Sequence, residues 1–405
     1  MPYKDKSFTN NSKDTSADTA AEVSLNPGQA IMSYRDNNKS HLDKSTPFYL
    51  RAFFILCIFS LICFALLFIY RLNSNFSEFF VRYISSPVRM CLGAVTSVFP
   101  FSLAESIFML VLICAVPVCI FLKPTKKNII IILMFSLVLF DLFAITVAPS
   151  YHRTPLYINL GIENRDITPK RLKNTCSIMV EMLNQCASDI YYGSDGKSYS
   201  TDNLSEMSQE ILNCYRSLCQ RYDFIFPVGF NAKPIALSVP LTYLHISGIY
   251  TFYTGEANIN TNYPDYIIPH TIAHEMAHSR GIFNEGDANF VGFIACLESD
   301  NPYIRYSGII NIFPYVANAL YSADPSAYGE VMHNMTYLVF EEMDSFSKFF
   351  EKYSSSKVAQ ISGSVNDALL KANGQEEGIN SYGLVVDLTV NYLEEKYNES
   401  IGTEN

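Results

Sequence analysis

Residues 269–298 read PHTIAHEMAHSRGIFNEGDANFVGFIACLE, and the fold of the soluble half turns on them. Pro269 suits the first turn of a helix, where its missing N–H costs nothing, and Gly281 suits the residue just past the end. Between them His274 and His278 stand four residues apart and share one helical face. Two imidazoles so placed can bind one zinc ion through nitrogen, and Glu275 beside them can take a proton from water. A catalytic zinc needs three protein ligands and an open fourth position. The residue six past His278 is Asn284 rather than histidine, so the third ligand is expected at Glu285. Asn284 is a natural N-cap for a second helix, with Asp287 at its third position. Asn289 follows Glu285 by four residues and suits an amide that supports a ligand. Asp287 is the rival ligand, read here as a capping group.

A string of this kind turns up by chance in roughly one protein in a hundred. Three features weigh against two ordinary helical histidines. The helix has a start and a stop, a Glu-x-x-Ala-Asn segment opens the next helix, and an extended stretch at Gly255–Asn260 precedes the motif. That stretch reads as an edge strand, where a peptide substrate can lie. It closes a region, residues 224–262, rich in Phe, Pro, Gly and β-branched residues, which predicts short strands. Upstream, residues 169–190 and 203–221 have helical periodicity and predict a helical hairpin. After Pro269 the pattern is helical to the end, with breaks at Gly281, Pro302, Pro325 and residues 374–380.

The N-terminal third is different. Residues 1–46 are polar and almost free of aromatic residues, which predicts a disordered cytoplasmic tail. Three apolar runs follow, near residues 48–70, 103–122 and 128–147, each long enough to cross a hydrocarbon core about 30 Å thick. Residues 73–100 mix apolar side chains with Arg82 and Arg89 and predict an interfacial amphipathic helix broken at Pro87. Lysines and arginines crowd the tail and the loop with Lys123, Lys126 and Lys127, so both are expected in the cytoplasm. Three spans then put everything after Pro149 outside.

Composition agrees with a divided chain. Of 405 residues 49 % are apolar and only 17 % charged, and the net charge is −10. That balance offers no basic surface for nucleic acid. Ten cysteines form no Cys-x-x-Cys pair, which excludes a cysteine-rich zinc ribbon.

The segments TGEANIN (254–260), HEMAHSRG (274–281), EGDANF (285–290), YIRYSG (303–308) and SYGLVVDL (381–388), with YHRTPL (151–156), resemble an uncharacterised bacterial family of membrane proteins, domain of unknown function 3810. The resemblance implies a gluzincin-like metallopeptidase with His274, His278 and Glu285 as zinc ligands and Glu275 as base. The sequence departs from the family where an acidic pair precedes Ala-Asn, since Gly286 and Asp287 stand there. The expected fold class is mainly α: three transmembrane helices over 47–149, then an α+β zincin-like domain over 150–405 with a small sheet and a helical C-terminal half. Glu256, Arg305, Tyr306 and Tyr382 are candidate substrate or transition-state contacts. His270, one turn before His274, reads as a surface histidine, and Asp141 as a structural polar contact within the third apolar run.

The expected function is hydrolysis of peptide bonds by a zinc enzyme anchored in the cell membrane, acting on peptide or protein substrates at the outer face, with the lipid bilayer as partner. The alternative is a catalytically inactive receptor or scaffold with a structural zinc, which would need a fourth protein ligand. Intramembrane proteolysis would need the motif inside a long apolar run, and none contains it.

Overall fold

The computed structural model describes residues 47–121, 125–353 and 382–403, with residues 364, 367, 368 and 371. The disordered tail expected over 1–46 and the break expected over 374–380 lie outside the described residues. The chain divides into two units, residues 1–54 and 55–405. Of the first, the described part is residues 47–54, the opening turns of α1 (Phe48–Leu72) and the residue before them.

The second unit continues from α1 into α2 (Ser74–Phe80), a π-helical turn at Val81–Ser85, α3 (Ser86–Thr96), α4 (Leu103–Phe121) and α5 (Lys126–Thr146). After a 3-10 turn at Ala148–His152 come α6 (Leu156–Leu160), α7 (Pro169–Asp189) and α8 (Leu204–Arg221). The middle holds β1 (Lys233–Pro234), α9 (Ser238–Thr242), β2 (Gly248–Thr251) and β3 (Glu256–Ile259). The remainder is helical: α10 (Ile268–Ser279), α11 (Glu285–Leu297), α12 (Pro302–Ala323), α13 (Pro325–Met332), α14 (Tyr337–Glu351) and α15 (Tyr382–Thr403). The protein is thus mainly helical with one small mixed sheet, as the periodicity predicts.

Two helices, not three, are long and apolar enough to cross a membrane among the described residues: Phe48–Leu72 and the Lys126–His152 stretch that α5 opens. Only 11 % and 17 % of these windows is buried, which a core helix of a soluble protein would not allow. The expected middle span is corrected: its apolar described portion runs only from Leu103 to Ala115. The N-terminal end of α4 is committed elsewhere. Its free N–H groups at Leu103 and Ala104 donate to Glu256 (3.2 and 2.8 Å), and Glu105 accepts from the Ala236 and Leu237 amides (2.8 and 2.7 Å).

The segment after α1 is not broken at Pro87. Helix continues through it, because the π turn widens the preceding backbone: the Ser86 N–H donates five residues back to Val81 O. Pro87 then falls in the first turn of α3, where neither its ring nor its missing donor disrupts a bond. This segment caps the orphan carbonyls that every helix leaves at its C-terminal end. Ser77 Oγ donates to Tyr70 O of α1 (3.1 Å), Ser85 Oγ to Ile145 O of α5 (2.5 Å), and Arg89 Nη1 to Thr146 O. Tyr70, Phe80 and Ala148 form a small buried cluster at the same place. Halfway along, Ser60 Oγ of α1 donates to Asp141 Oδ2 of α5 (2.9 Å), which is the structural contact expected for Asp141.

In the soluble half α10 is the central element. Ile272, Ala273, Met276 and Ala277 are fully buried between the sheet, α8, α11 and α12. The expected helical hairpin is also corrected. The helices at residues 169–190 and 203–221 form, yet α7 packs chiefly on α12 and α8 on α10 and α11 rather than on each other. Their polar faces carry caps: Thr168 accepts from Arg171 N, and Asn203 with Glu206 makes a reciprocal capping box. The sheet has the order β1-β3-β2, with β1 parallel and β2 antiparallel to β3. The stretch at 255–260 is therefore the central strand, and β2 forms the edge. The five cysteines of the soluble half are all free thiols.

Candidate metal centre

The helical repeat of α10 brings the His274 and His278 rings to 4.6 Å between centroids, nearly perpendicular. Gly281 then reverses the chain. Its φ of +85° is a conformation that only glycine adopts without strain. The turn is closed by Ile282 N donating to Ala277 O (3.2 Å). It also delivers Ile282 O to His278 Nδ1 at 2.7 Å. Nδ1 therefore carries the proton and Nε2 is left with a free lone pair. Phe283 stacks on the same ring (5.3 Å, 27°), fixing its plane. Asn284 caps α11 by accepting from Asp287 N (3.2 Å), which sets Glu285 in the first turn, facing back at both histidines.

Glu285 Oε2 lies 3.2 Å from His274 Nε2, and Oε1 lies 4.0 Å from His278 Nε2. One ligand atom from each of the three residues falls within 4.8 Å of the others. Tetrahedral zinc with bonds of about 2.0–2.1 Å holds its ligand atoms roughly 3.3 Å apart, so two imidazoles and a carboxylate in this arrangement fit the ion. Asp287 is half-buried and is not part of the group. It keeps an unbonded Oδ1, and burial pushes its carboxyl up to about 7. The cluster thus offers three ligands rather than four.

Electrostatics follow from burial and proximity. Burial opposes the charge on Glu285, but hydrogen bonding from His274 and the charges of both histidines outweigh it and bring the carboxyl down to about 2. Burial and the His274 charge lower His278 to about 4. For His274 burial works downward, but Glu285, Glu275 and the Asn289 side chain raise the imidazole overall. Asn289 follows one turn after Glu285 on α11. Glu275 is pushed up to about 7, first by burial and also by the Glu285 charge, and its Oε2 has no hydrogen-bond partner. It is a desolvated carboxyl beside the ligand cluster, with one oxygen uncommitted.

The edge strand lies directly over that carboxyl. A Cβ added at Gly248 would fall 2.6 Å from Glu275 Oε1, so glycine is what lets β2 approach. Phe283 also meets Tyr250 and Tyr151 (5.7 and 6.1 Å between centroids). Sequence reasoning did not single out Gly248, Tyr250, Tyr151 or Phe283, because none carries a metal-binding group and only packing brings them here.

Several expected residues stand elsewhere. Glu256 is buried in an ion pair with Lys233 (2.5 Å) and caps α4. Its role is to join the sheet to the N-terminal helices. Arg305 donates to Ser299 O (2.7 Å) at the end of α11, and Tyr306 OH donates to Glu342 Oε2 (3.0 Å) in the core. Neither joins the cluster. His270 is buried, not a surface residue; its Nε2 meets Asn289 O (3.1 Å) and burial lowers it to about 4. Tyr382 opens α15, and its side chain lies outside the described residues.

A second constellation holds the turn between the ligands. Arg89, fully buried, donates to Ser279 O (3.2 Å) as well as to Thr146 O and Ser86 Oγ. Arg153 donates to Gly281 O (3.0 Å), to Phe224 O (3.1 Å) and to both oxygens of Glu78 (2.9 and 2.7 Å). Glu78 also accepts from Arg82 (2.7 Å). The carbonyls that end α10 are thereby tied to α2, α3 and the end of α5.

No curated protein and no solved structure matches this chain. The model of the family described as "Protein of unknown function (DUF3810)" matches residues 76–390, a stretch that takes in the cluster, the edge strand and the arginine constellation, and the chain belongs to that family.

Proposed function

We propose that this protein is a membrane-anchored zinc metallopeptidase. The observation that carries the reading is the convergence of His274, His278 and Glu285 on one point with Glu275 beside it and a free strand edge above. A bound zinc supplies the Lewis acid that polarises the scissile carbonyl and makes water reactive near neutral pH. The chain's own groups do the rest. Glu275 takes the proton from the attacking water and passes it to the departing amine, a task suited to a carboxyl poised near 7. The Ile282 carbonyl and Phe283 hold His278 in one tautomer and plane. The edge of β2 orients the peptide by backbone hydrogen bonds.

A scaffold with a structural zinc would need a fourth protein ligand. The separation of Asp287 from the cluster and the unbonded oxygen of Glu275 both favour the enzyme. For the setting, α1 and α5 are read as membrane spans. The C-terminal end of α5 leads to the half that holds the cluster, and its N-terminal end carries Lys126 and Lys127. The positive-inside rule then puts the metal centre outside the cytoplasm.

The test is zinc content and peptide hydrolysis of the full chain. One zinc per chain is expected, lost or weakened in Glu285→Ala and retained in Asp287→Ala. Glu275→Gln should keep the zinc and lose hydrolysis by at least about 100-fold. A folded wild type without zinc, or an active Glu275→Gln, would sink the reading.

A further inference from the structure

The edge of the sheet has a direction and a neighbourhood. In an antiparallel ladder, backbone groups alternate between the partner strand and the free side. Asn260 N donates to Ser247 O (2.9 Å), so with the register Ile249↔Asn258 and Thr251↔Glu256 those two β2 residues turn to β3. Gly248 and Tyr250 turn their N–H and C=O groups outward, and a Cβ at Gly248 would fall 2.6 Å from Glu275 Oε1. The free edge therefore opens onto the ligand cluster. Its downstream end does not open into bulk solvent. Phe252, the next residue after β2, packs edge-on against Phe143 in the last turn of α5 (6.0 Å, 78°). The most exposed of the three ligands, Glu285, has a 36 % accessible side chain and stands beside Tyr151, in the turn that leaves α5. One end of the edge, and the open side of the cluster, thus border the end of a helix apolar enough to cross a bilayer.

An added strand pairs more strongly antiparallel than parallel. Laid antiparallel on β2, a peptide enters beside Thr251 and Phe252, next to α5, and runs on toward Gly248. Its N-terminal side then points to the bilayer. From this geometry we propose that the substrate is a polypeptide anchored in the same bilayer on the N-terminal side of the bond that is cut. The anchor lies within roughly ten residues of that bond, since an extended chain advances about 3.3 Å per residue and the edge itself is short. The proposal rests on the metallopeptidase reading above and adds the class and polarity of its substrate.

The experiment uses the full chain, zinc-loaded, in vesicles of phosphatidylethanolamine and phosphatidylglycerol. One degenerate twelve-residue peptide library is supplied in three forms: palmitoylated at the N-terminus, palmitoylated at the C-terminus, and free. The N-anchored form should be cut at least about tenfold faster than either other form, beyond the local concentration that both anchors share. A second readout does not depend on turnover. In the Glu275→Gln chain, N-anchored peptides carrying a photoreactive group should crosslink to residues 248–251 more than C-anchored ones. Equal cutting of the N- and C-anchored forms, or of anchored and free forms, overturns the substrate proposal. If that cutting is still lost in Glu275→Gln, the peptidase reading stands without it. No cutting and no crosslinking of any form takes down both.

Discussion

At Gly248 the strand β2 and the helix α10 approach until a Cβ would sit 2.6 Å from Glu275 Oε1 and 2.9 Å from its Cδ. The contact is with the flexible end of the Glu275 side chain, whose Oε2 has no hydrogen-bond partner to hold it, so the carboxylate is what gives way. Gly248→Ala should therefore shift Glu275 and leave the metal alone. Hydrolysis is expected to fall on the order of 100-fold, the usual cost of misplacing a reacting group by about 1 Å. Zinc content by atomic absorption should stay at one per chain; loss of the metal together with activity would mean that β2 supports the ligands and not the base. Gly281 is the other indispensable glycine, and its role is backbone conformation, since its φ is +85°.

Among elements, the pair α2–α3 does the most to connect the two halves. Arg89 and Arg153 tie the carbonyls of Ser279 and Gly281 to Glu78, Ser86 and the end of α5. Burial pushes the Glu78 carboxyl up, but Arg153 and Arg82 outweigh it and hold it below its ordinary 4.5. A carboxyl held down in the folded chain stabilises it fully above the unfolded pKa, and the contribution is lost as pH falls through the folded value. Glu78→Gln should accordingly lower the melting temperature at pH 7, where an uncompensated buried arginine costs about 3 kcal/mol. The difference from wild type should shrink only as pH falls through the depressed folded value, below the ordinary 4.5. Melting with a chelator present at each pH separates this from metal release; a difference that persists in acid would mean that Glu78 acts by shape and not by charge.

For the whole molecule, the N-terminal helices are hydrogen-bonded to the turn that carries the cluster. A fragment of residues 151–405 keeps every ligand but loses Arg89 and Glu78, and with them the anchoring of the turn between His278 and Glu285. Its zinc affinity is expected to fall about 10- to 100-fold relative to the full chain, the effect usual for lost outer supports of a metal site. Competition with a fluorescent chelator measures this, and equal affinities would show that the soluble half is self-sufficient. The basic N-terminal end of α5 also makes a topological prediction. A reporter fused after Tyr151 should be active only outside the cytoplasm, and activity inside would invert the orientation.

His274, His278 and Glu285 were legible in the chain alone because short-range geometry decides them. Four residues on a helix, one glycine turn and one N-cap fix their positions with little help from elsewhere. The same holds for two of the three apolar runs and for most helix boundaries, which follow periodicity and caps. Long-range packing decided what was missed. Which strand is the edge depends on pairing partners, and β3 lost that place to β2 because β1 covers its other side. The partners of Glu256, Tyr306 and Arg305 are set by burial against elements far along the chain, and each charge or hydroxyl went to a neighbour that needed it. The π turn at Val81–Ser85 shows the local form of this limit: Pro87 forbids a regular helix, and the carbonyls of α1 and α5 waiting to be capped keep the segment helical around it. Sequence carries the groups and their local spacing, whereas desolvation and pairing across the molecule assign each group its task.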